Sequence, residues 1–161
     1  YVSPLMRTIQ TAEALAKFVT YRNILTDKYL IEQNFGDWQG KKISEVWNEL
    51  PQDESKHNFS FICPETIPPN GDSFLQQCER VSSWLEAIDF SRSRSIVVIA
   101  HGGTIRAALT HLLGLTPDKA IGVEILPLSL TKFEVLCLSE AKNRGGQFRM
   151  VGLNRYNAKR S

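Results

Sequence analysis

The sequence has few cysteines, no long apolar run and little net charge, and each of these features argues against a class of protein. The three cysteines (Cys63, Cys78 and Cys137) are far apart and form no CxxC pair. We therefore expect reduced thiols, mostly buried, in a cytoplasmic protein. No apolar run approaches the roughly 18 residues of a membrane helix, so we expect no membrane partner. A net charge of +2 argues against a nucleic-acid partner, because nucleic-acid binders are usually far more basic.

Three common site motifs are also missing. Gly102 and Gly103 do not form a dinucleotide-binding fingerprint, because the third glycine and the later acidic residue are absent. They do not form a Walker loop either, because no Gly-Lys-Ser/Thr follows them. No histidine or carboxylate cluster has the spacing of metal ligands, so the sequence predicts no metal and no other cofactor.

What remains is the composition of one ordinary globular domain. The chain has 161 residues, of which 42% are hydrophobic and 22% charged. Neither an internal repeat nor a convincing boundary divides it. We therefore predict a single domain over residues 1–161.

Apolar residues at helical spacing predict four helices. These span residues 5–18, 43–50, 74–88 and 105–112. Ser3 is a good N-cap for the first helix, with Pro4 at the position where a first turn tolerates proline. Ser73 or Asp72 is the expected cap of the third.

Apolar runs between the helices predict the strands. They are a strand ending at Tyr1-Val2, a short strand that closes at residues 30–31, and strands at 95–100, 131–137 and 147–153. The run at 95–100 is continuous and β-branched, which is typical of a strand buried on both faces of a parallel sheet. The last two strands are expected to pair around a turn at residues 143–146. The pattern predicts an α/β fold with a mixed, mostly parallel sheet flanked by helices.

Two strand-to-helix junctions carry candidate site residues. Arg7 follows the first strand, and His101 with Gly102 follows the strand at 95–100. Sites in open α/β sheets form at such strand ends, and a helix N-terminus favours anions. Taken singly, Arg7 is equally consistent with a surface cation and His101 with a packing residue. Their combination is more specific, since an Arg fork suits phosphate oxygens.

Four blocks of the sequence resemble the histidine phosphatase superfamily, which has the phosphoglycerate mutase-like fold. Residues 3–13 (SPLMRTIQTAE) resemble the family's S-P-L-x-R-x-x-Q-T-A-E, and residues 31–40 (IEQNFGDWQG) its E-x-x-F-G-x-W-E-G. Residues 68–74 (PPNGDSF) resemble P-P-G-G-E-S-L, and residues 98–106 (VIAHGGTIR) resemble V-x-S-H-G-G-x-I-R. The blocks occur in the family's order and extend to about residue 115.

The resemblance implies roles for five residues. Arg7 is expected to be the second arginine of a phosphate pocket, and His101 the second histidine, which holds phosphoryl oxygens and transition-state charge. Glu32 is expected to be the acid that protonates the leaving oxygen and later activates water. The backbone N–H of Gly102 is expected to contact the anion. Asp72 stands where the family usually has Glu, and we expect it to support substrate binding without being catalytic.

One departure from the family pattern is serious, because its nucleophile is the histidine of an Arg-His-Gly motif that this sequence lacks. His57 lies in a polar stretch, read as solvated loop, and His111 lies mid-helix, read as surface or packing. We expect an N-terminally incomplete domain whose first strand and nucleophile lie upstream of residue 1. The alternative is a naturally truncated chain without catalysis.

The expected function is a phosphomonoesterase that acts through a phosphohistidine on a small phosphorylated metabolite. The segment between Glu32 and His101 is shorter than in cofactor-dependent mutases, which favours a phosphatase similar to the α-ribazole and broad-specificity phosphatases. A phosphoglycerate mutase is the first alternative. A catalytically dead protein that binds a phosphorylated ligand or a partner is the second. A homodimer is left open by the sequence.

Overall fold

The structure is a computed structural model, and it describes residues 1–20, 23–50, 57–92, 95–136, 141 and 145–156. The helices of this part are α1 (Met6–Ala16), α2 (Ile43–Glu49), α3 (Phe74–Glu86), α4 (Gly102–Leu113) and α5 (Pro117–Ile121). Short 3-10 helices lie at Lys28–Leu30, Gly36–Trp38 and Phe90–Arg92, and the strands are β1 (Leu130–Val135) and β2 (Phe148–Arg155). All four predicted helices are therefore present, with ends shifted by a few residues.

The core lies where α3 packs against α4. Phe74 and Val81 of α3 are each 1% exposed, and Ala107 of α4 is fully buried. Helix α3 begins with the predicted cap, because the Ser73 hydroxyl accepts the Gln76 N–H at 3.1 Å and the Gln76 side chain returns to the Ser73 N–H at 2.8 Å. This reciprocal pair fixes the entry of the chain into α3.

Helix α1 begins later than the sequence predicted. Its N-cap is Leu5, which makes no side-chain cap bond, and its last residue is Ala16. The prediction that Ser3 caps this helix is wrong. The Ser3 hydroxyl lies 2.8 Å from Nε2 of His101, and the Ser3 carbonyl accepts the Thr8 hydroxyl at 2.9 Å. The polar groups of Ser3 thus join α1 to the start of α4.

The parallel part of the sheet is centred on Val2. Val2 forms parallel bridges with Thr26 on one side and Ile99 on the other. The predicted strand at 95–100 is reduced to this one bridge, and it is not buried on both faces, since Val97 and Val98 are 47% and 40% exposed. Burial on both faces requires elements packed over each face, and within the described part of the chain this segment is paired only along the edge that faces residues 1–3.

The short strand predicted to close at residues 30–31 ends earlier, because its pairing within the described residues is the bridge between Thr26 and Val2. The chain turns there as a 3-10 helix, because the Asp27 carboxylate accepts the Tyr29 N–H at 3.0 Å. Leu30 is fully buried at the end of this turn and belongs to the α3–α4 core. The turn therefore delivers Ile31 and Glu32 to the N-terminal side of both core helices.

Strands β1 and β2 form an antiparallel pair, as predicted, with Phe133 opposite Met150. Part of the predicted turn lies outside the described residues, while Gly145 and Gly146 have φ of +88° and +104°. Helices combined with parallel and antiparallel pairing confirm the α/β class. In the described ranges no helix has the length and apolarity needed to cross a membrane.

Candidate active site

Two interlocked loops hold the position of Glu32. The Asp72 N–H donates to the Asn34 carbonyl at 2.9 Å. Gly36 has φ of +48°, and a Cβ on it would lie 2.0 Å from the Pro69 carbonyl oxygen; a Cβ on Gly71 would lie 2.4 Å from the Asn34 oxygen. Since no side chain fits at those distances, both positions require glycine. The two loops come from separate sequence blocks, 31–40 and 68–74, which explains why these blocks occur together.

The Glu32 carboxylate accepts three N–H groups. The Gln33 backbone donates to Oε1 at 3.2 Å, and Nε2 of Gln77 donates to the same oxygen at 3.0 Å. The Gly103 backbone donates to Oε2 at 3.2 Å. Gln77 belongs to α3 and Gly103 to the first turn of α4, so the two core helices meet at this carboxylate. The acid end of the site consists of Glu32, Gln77 and Gly103.

Gly103 makes this close approach possible. A Cβ on Gly103 would lie 2.3 Å from Oε1 of Glu32 and 2.9 Å from Oε1 of Gln77. Real Cβ atoms do not approach oxygen so closely, and therefore a larger residue would displace the carboxylate. In the sequence alone the Gly102-Gly103 pair is a weak signal, because it matches no phosphate-binding motif.

Arg7 and His101 form the cation end of the site. Nε of Arg7 donates to Nδ1 of His101 at 3.2 Å, and Nε2 of His101 lies 2.8 Å from the Ser3 hydroxyl. An Nδ1 that accepts a hydrogen bond carries no proton, so His101 is neutral here and its proton is on Nε2. The three residues come from the two strand-to-helix junctions that the sequence singled out.

The environment of His101 keeps it neutral. The imidazole is 7% exposed, and burial, which disfavours the charged form, lowers the pKa of His101. The nearby Glu32 carboxylate opposes this by raising the His101 pKa, while the Arg7 guanidinium lowers it further. Both charges thus act on the imidazole, and Arg7 is in direct contact with it.

The cation end has donors to offer an anion. Arg7 is exposed and uses its Nε–H for His101, whereas a guanidinium carries five N–H donors. Gly102 is the first residue of α4, and the first N–H groups of a helix have no partner inside it. The partial positive charge of this helix end adds to that of Arg7. The arrangement can therefore bind a phosphoryl group.

The Asp72 carboxylate makes its contacts with the Glu32 loop and with α3. One of its carboxylate oxygens accepts the Asn34 N–H, and the other lies 3.3 Å from the Arg80 guanidinium. Asp72 thus links the Glu32 loop to α3. Its predicted contribution to substrate binding stays a prediction.

The other two histidines do not reach the site. Nε2 of His57 lies 3.0 Å from the Asp118 carbonyl, and Nδ1 of His111 lies 2.7 Å from the Ser82 hydroxyl of α3. His101 is therefore the histidine of this site among the residues that the structure describes. In the same part of the chain, no group of three or more His, Cys, Asp or Glu side chains could hold a metal ion.

A separate concavity lies beside α5. Its volume is about 480 Å³, and His57, Phe59, Lys119 and Val123 are among the residues that line it. Val123 at its edge is held by α4, because Nε of Arg106 donates to the Val123 carbonyl at 2.7 Å. Neither Arg7 nor a residue of the acid end lines it.

Two site residues were missed by sequence reasoning. Ser3 was assigned to capping, and Gln77 was not singled out. Gln77 falls between Phe74 and Val81 on the apolar stripe of α3, where every neighbour in the stripe is a core residue. The signal in the sequence was a polar residue at the spacing of the buried stripe. Because buried polar groups require a hydrogen-bond partner, such a residue indicates a specific contact.

Comparison with known proteins identifies relatives of this chain. The family model described as histidine phosphatase superfamily (branch 1) matches residues 1–144. A 2,3-bisphosphoglycerate-dependent phosphoglycerate mutase of Cytophaga hutchinsonii is 27% identical over 106 residues, covering 63% of this chain and 48% of the relative. Phosphoserine phosphatase 1 of Hydrogenobacter thermophilus is 30% identical over 125 residues, covering 74% of this chain and 56% of the relative.

A solved structure extends the similarity to the fold. A mycobacterial glucosyl-3-phosphoglycerate phosphatase superposes with a TM-score of 0.71 at 21% identity, covering 96% of this chain and 74% of that one. This confirms the predicted fold class. The chain spans about half the length of the curated relatives named above.

Proposed function

The chain belongs to the histidine phosphatase superfamily, and on that premise we propose that the complete protein is a phosphomonoesterase acting on a small phosphorylated metabolite. The observation that carries the proposal is the contact of His101 with the Arg7 guanidinium at the start of the helix whose Gly103 N–H donates to the Glu32 carboxylate. A cationic group and a carboxylic acid held at one helix start suit the two halves of a phosphomonoester, its phosphoryl group and its leaving oxygen.

The phosphoryl group binds at the cation end. Arg7 and the Gly102 N–H contact its oxygens, and the negative charge of the group favours a protonated His101. Nδ1 of His101 then donates to a phosphoryl oxygen in place of accepting from Arg7. Because phosphoryl transfer depends mainly on positioning and charge stabilisation, these donors supply most of the catalysis.

The first chemical step moves the phosphoryl group to a nucleophilic histidine. A nitrogen–phosphorus bond forms as the bond from phosphorus to the leaving oxygen breaks. Protonated Glu32 gives its proton to that oxygen, so an alcohol leaves and the carboxylate remains.

The second step returns the enzyme to its starting state. Water attacks phosphorus, the nitrogen–phosphorus bond breaks, and the Glu32 carboxylate takes the proton of the water. Inorganic phosphate leaves, and Glu32 is again protonated for the next cycle.

The nucleophile is not among the histidines of the printed sequence. His101 is held by Arg7 and Ser3, and His57 and His111 make their contacts elsewhere. We place the nucleophilic histidine in a part of the protein outside the printed residues, within the same single domain. The proposal also includes a cytoplasmic location and leaves a homodimer as one assembly to be tested.

The test is hydrolysis of p-nitrophenyl phosphate by the full-length protein. Replacing His101 by Ala should lower turnover about 10²–10³-fold, as expected for loss of a charge-stabilising donor. His111→Ala is the matched control, since this histidine sits on α4 but contacts Ser82; it should keep turnover within about twofold. No phosphate release by the wild type, or wild-type turnover in His101→Ala, contradicts the proposal.

A phosphoglycerate mutase is the second candidate, because a mutase is among the relatives that match this chain. The discriminating assay supplies 2,3-bisphosphoglycerate and follows interconversion of the phosphoglycerates. We expect phosphate release to exceed interconversion. Robust interconversion would assign the protein to the mutases, with the same residues in the same roles.

A further inference from the structure

Gln77 is a polar residue in an otherwise apolar stripe. Its neighbours on the buried face of α3 are core residues, and Gln77 itself is fully buried. A buried amide lowers stability unless its polar atoms are paired. An apolar residue of similar size would fill this position without that cost, so packing alone does not account for a glutamine here.

The amide of Gln77 is directed at the acid end. Nε2 donates to Oε1 of Glu32 at 3.0 Å, and it also lies 3.3 Å from the Thr104 hydroxyl and 3.4 Å from the Ile31 carbonyl. Oε1 of Gln77 is buried and has no hydrogen-bond partner among the described residues. One half of the amide is therefore left unsatisfied while the other half holds the carboxylate.

The orientation of the amide follows from its neighbours. Turning it over would place Oε1 of Gln77 against a carboxylate oxygen of Glu32 and the carbonyl oxygen of Ile31, and all three are acceptors. In the observed orientation Nε2 of Gln77 holds the Glu32 carboxylate together with the backbone N–H groups of Gln33 and Gly103.

We propose that Gln77 is a positioning residue for the acid Glu32, holding its carboxylate and stabilising the negative charge that develops when Glu32 protonates the leaving oxygen. This inference rests on the proposed function. Gln77 touches neither substrate nor phosphorus and acts through Glu32. The effect of Gln77 on turnover is therefore largest for substrates whose leaving oxygen must be protonated before it can depart.

The leaving group therefore provides a specific test. An alkyl alcohol is a poor leaving group and requires the proton of Glu32, whereas p-nitrophenolate departs without one. In Gln77→Met, which keeps the volume and removes the donor, we expect turnover of an alkyl phosphate such as phosphoserine to fall about tenfold, as for one hydrogen bond to a charged group. Turnover of p-nitrophenyl phosphate should fall by less than about threefold.

Thr104→Val is the matched control. Thr104 lies in the same buried cluster and bonds to Gln77 and to the Leu30 carbonyl, but it makes no hydrogen bond to Glu32. Its loss should change the two substrates equally. An equal loss on both substrates in Gln77→Met, or no loss on either, overturns the proposal.

A measurement without turnover separates this inference from the proposed function. The side-chain NH₂ signals of Gln77 are followed by NMR in the full-length wild type and in Glu32→Gln. We expect them to differ between the two proteins, because Nε2 donates to a carboxylate oxygen in the wild type and faces an amide in the variant. If the wild type hydrolyses no phosphomonoester, the proposed function fails, and signals insensitive to Glu32 then overturn the Gln77 inference as well.

Discussion

The acid end and the cation end of the site are held in different ways. At the acid end, Glu32 accepts three N–H groups, and two of them, from Gln77 and Gly103, come from the two helices that form the core. At the cation end, Arg7 is exposed and reaches the site through a single bond to His101. Protein hydrogen bonds therefore hold the Glu32 carboxylate in position without a ligand, whereas the cation end still has N–H donors available to bind one. A group that moves a proton needs a fixed position, and a group that neutralises charge needs an accessible one.

Arg7→Ala gives the largest expected effect. Loss of the guanidinium should lower kcat/KM for phosphomonoesters about 10²–10³-fold, because a main source of positive charge at the phosphoryl group is removed. Since the side chain is exposed, the free energy of unfolding should change by less than about 0.5 kcal/mol. Steady-state kinetics and urea denaturation of the same preparation measure both. A large fall in the free energy of unfolding would show that Arg7 also stabilises the fold, which would contradict the difference between the two ends.

Gly103→Ala changes the acid end by one methyl group. That carbon would lie 2.3 Å from Oε1 of Glu32, so the carboxylate must move. We expect roughly tenfold lower turnover of an alkyl phosphate, comparable to loss of a hydrogen bond to a charged group. Because alanine is favoured over glycine in a helix, the free energy of unfolding should not fall.

Gly102→Ala is the comparison for that variant, since a Cβ there meets nothing closer than 3.8 Å. It keeps the backbone N–H and leaves Glu32 in place, so its loss of turnover should be the smaller of the two. The reverse order would contradict the close packing assigned to Gly103.

The buried state of His101 predicts how stability depends on pH. Burial holds the pKa of His101 below its ordinary value of about 6.5 in the folded protein. At pH values between the pKa of His101 in the folded protein and its ordinary pKa, the unfolded chain binds a proton that the folded chain does not. The contribution of His101 to the free energy of unfolding is therefore fully present above about pH 6.5, and it is lost as the pH falls toward the pKa of His101 in the folded protein. Urea denaturation at pH 7.5, 6.5 and 5.5 measures it.

His101→Gln is the variant for this comparison, and its stability should fall less steeply over the same pH range. If wild type and variant gave parallel curves, the imidazole would not be the source of the pH dependence. Repeating the series with inorganic phosphate bound should weaken the dependence, because a phosphoryl group favours the protonated imidazole.

The smallest expected effect is on the support of the acid end. Ser73 caps α3, the helix that carries Gln77, through its bond to the Gln76 N–H. Ser73→Ala should lower the free energy of unfolding by about 1 kcal/mol. Ser83→Ala, on the exposed side of the same helix, is the control and should change it by less than about 0.5 kcal/mol. Equal effects of the two variants would show that the Ser73 cap does not stabilise α3.

Features with a local cause were predictable from the sequence. The stripe of apolar residues and the Ser73 cap define α3, and alternating strands and helices define the α/β class. Arg7, Glu32 and His101 were predicted as site residues because each lies in a block that resembles the family. Arg7 contacts His101, and Glu32 accepts the N–H of Gly103 in the same helix start; their catalytic roles stay predictions.

Features that depend on contacts between distant residues were not predictable in the same way. Ser3 follows a strand and precedes proline, which favours a cap, yet its hydroxyl is used by His101, far along the chain. The segment at 95–100 reads as a doubly buried strand, but its burial depends on which strands pair with it. The role of Gln77 required knowing that Glu32 lies over the same turn of α3.

The most direct test of the division between the two ends compares Arg7→Ala with Glu32→Gln in the full-length protein, on phosphoserine and on p-nitrophenyl phosphate. We expect Arg7→Ala to lower turnover of both substrates by a similar factor, since both carry the same phosphoryl group. We expect Glu32→Gln to lower turnover of phosphoserine at least about tenfold more than that of p-nitrophenyl phosphate, since only the alkyl leaving group requires a proton. Equal losses on the two substrates in Glu32→Gln would contradict the assignment of Glu32 as the acid.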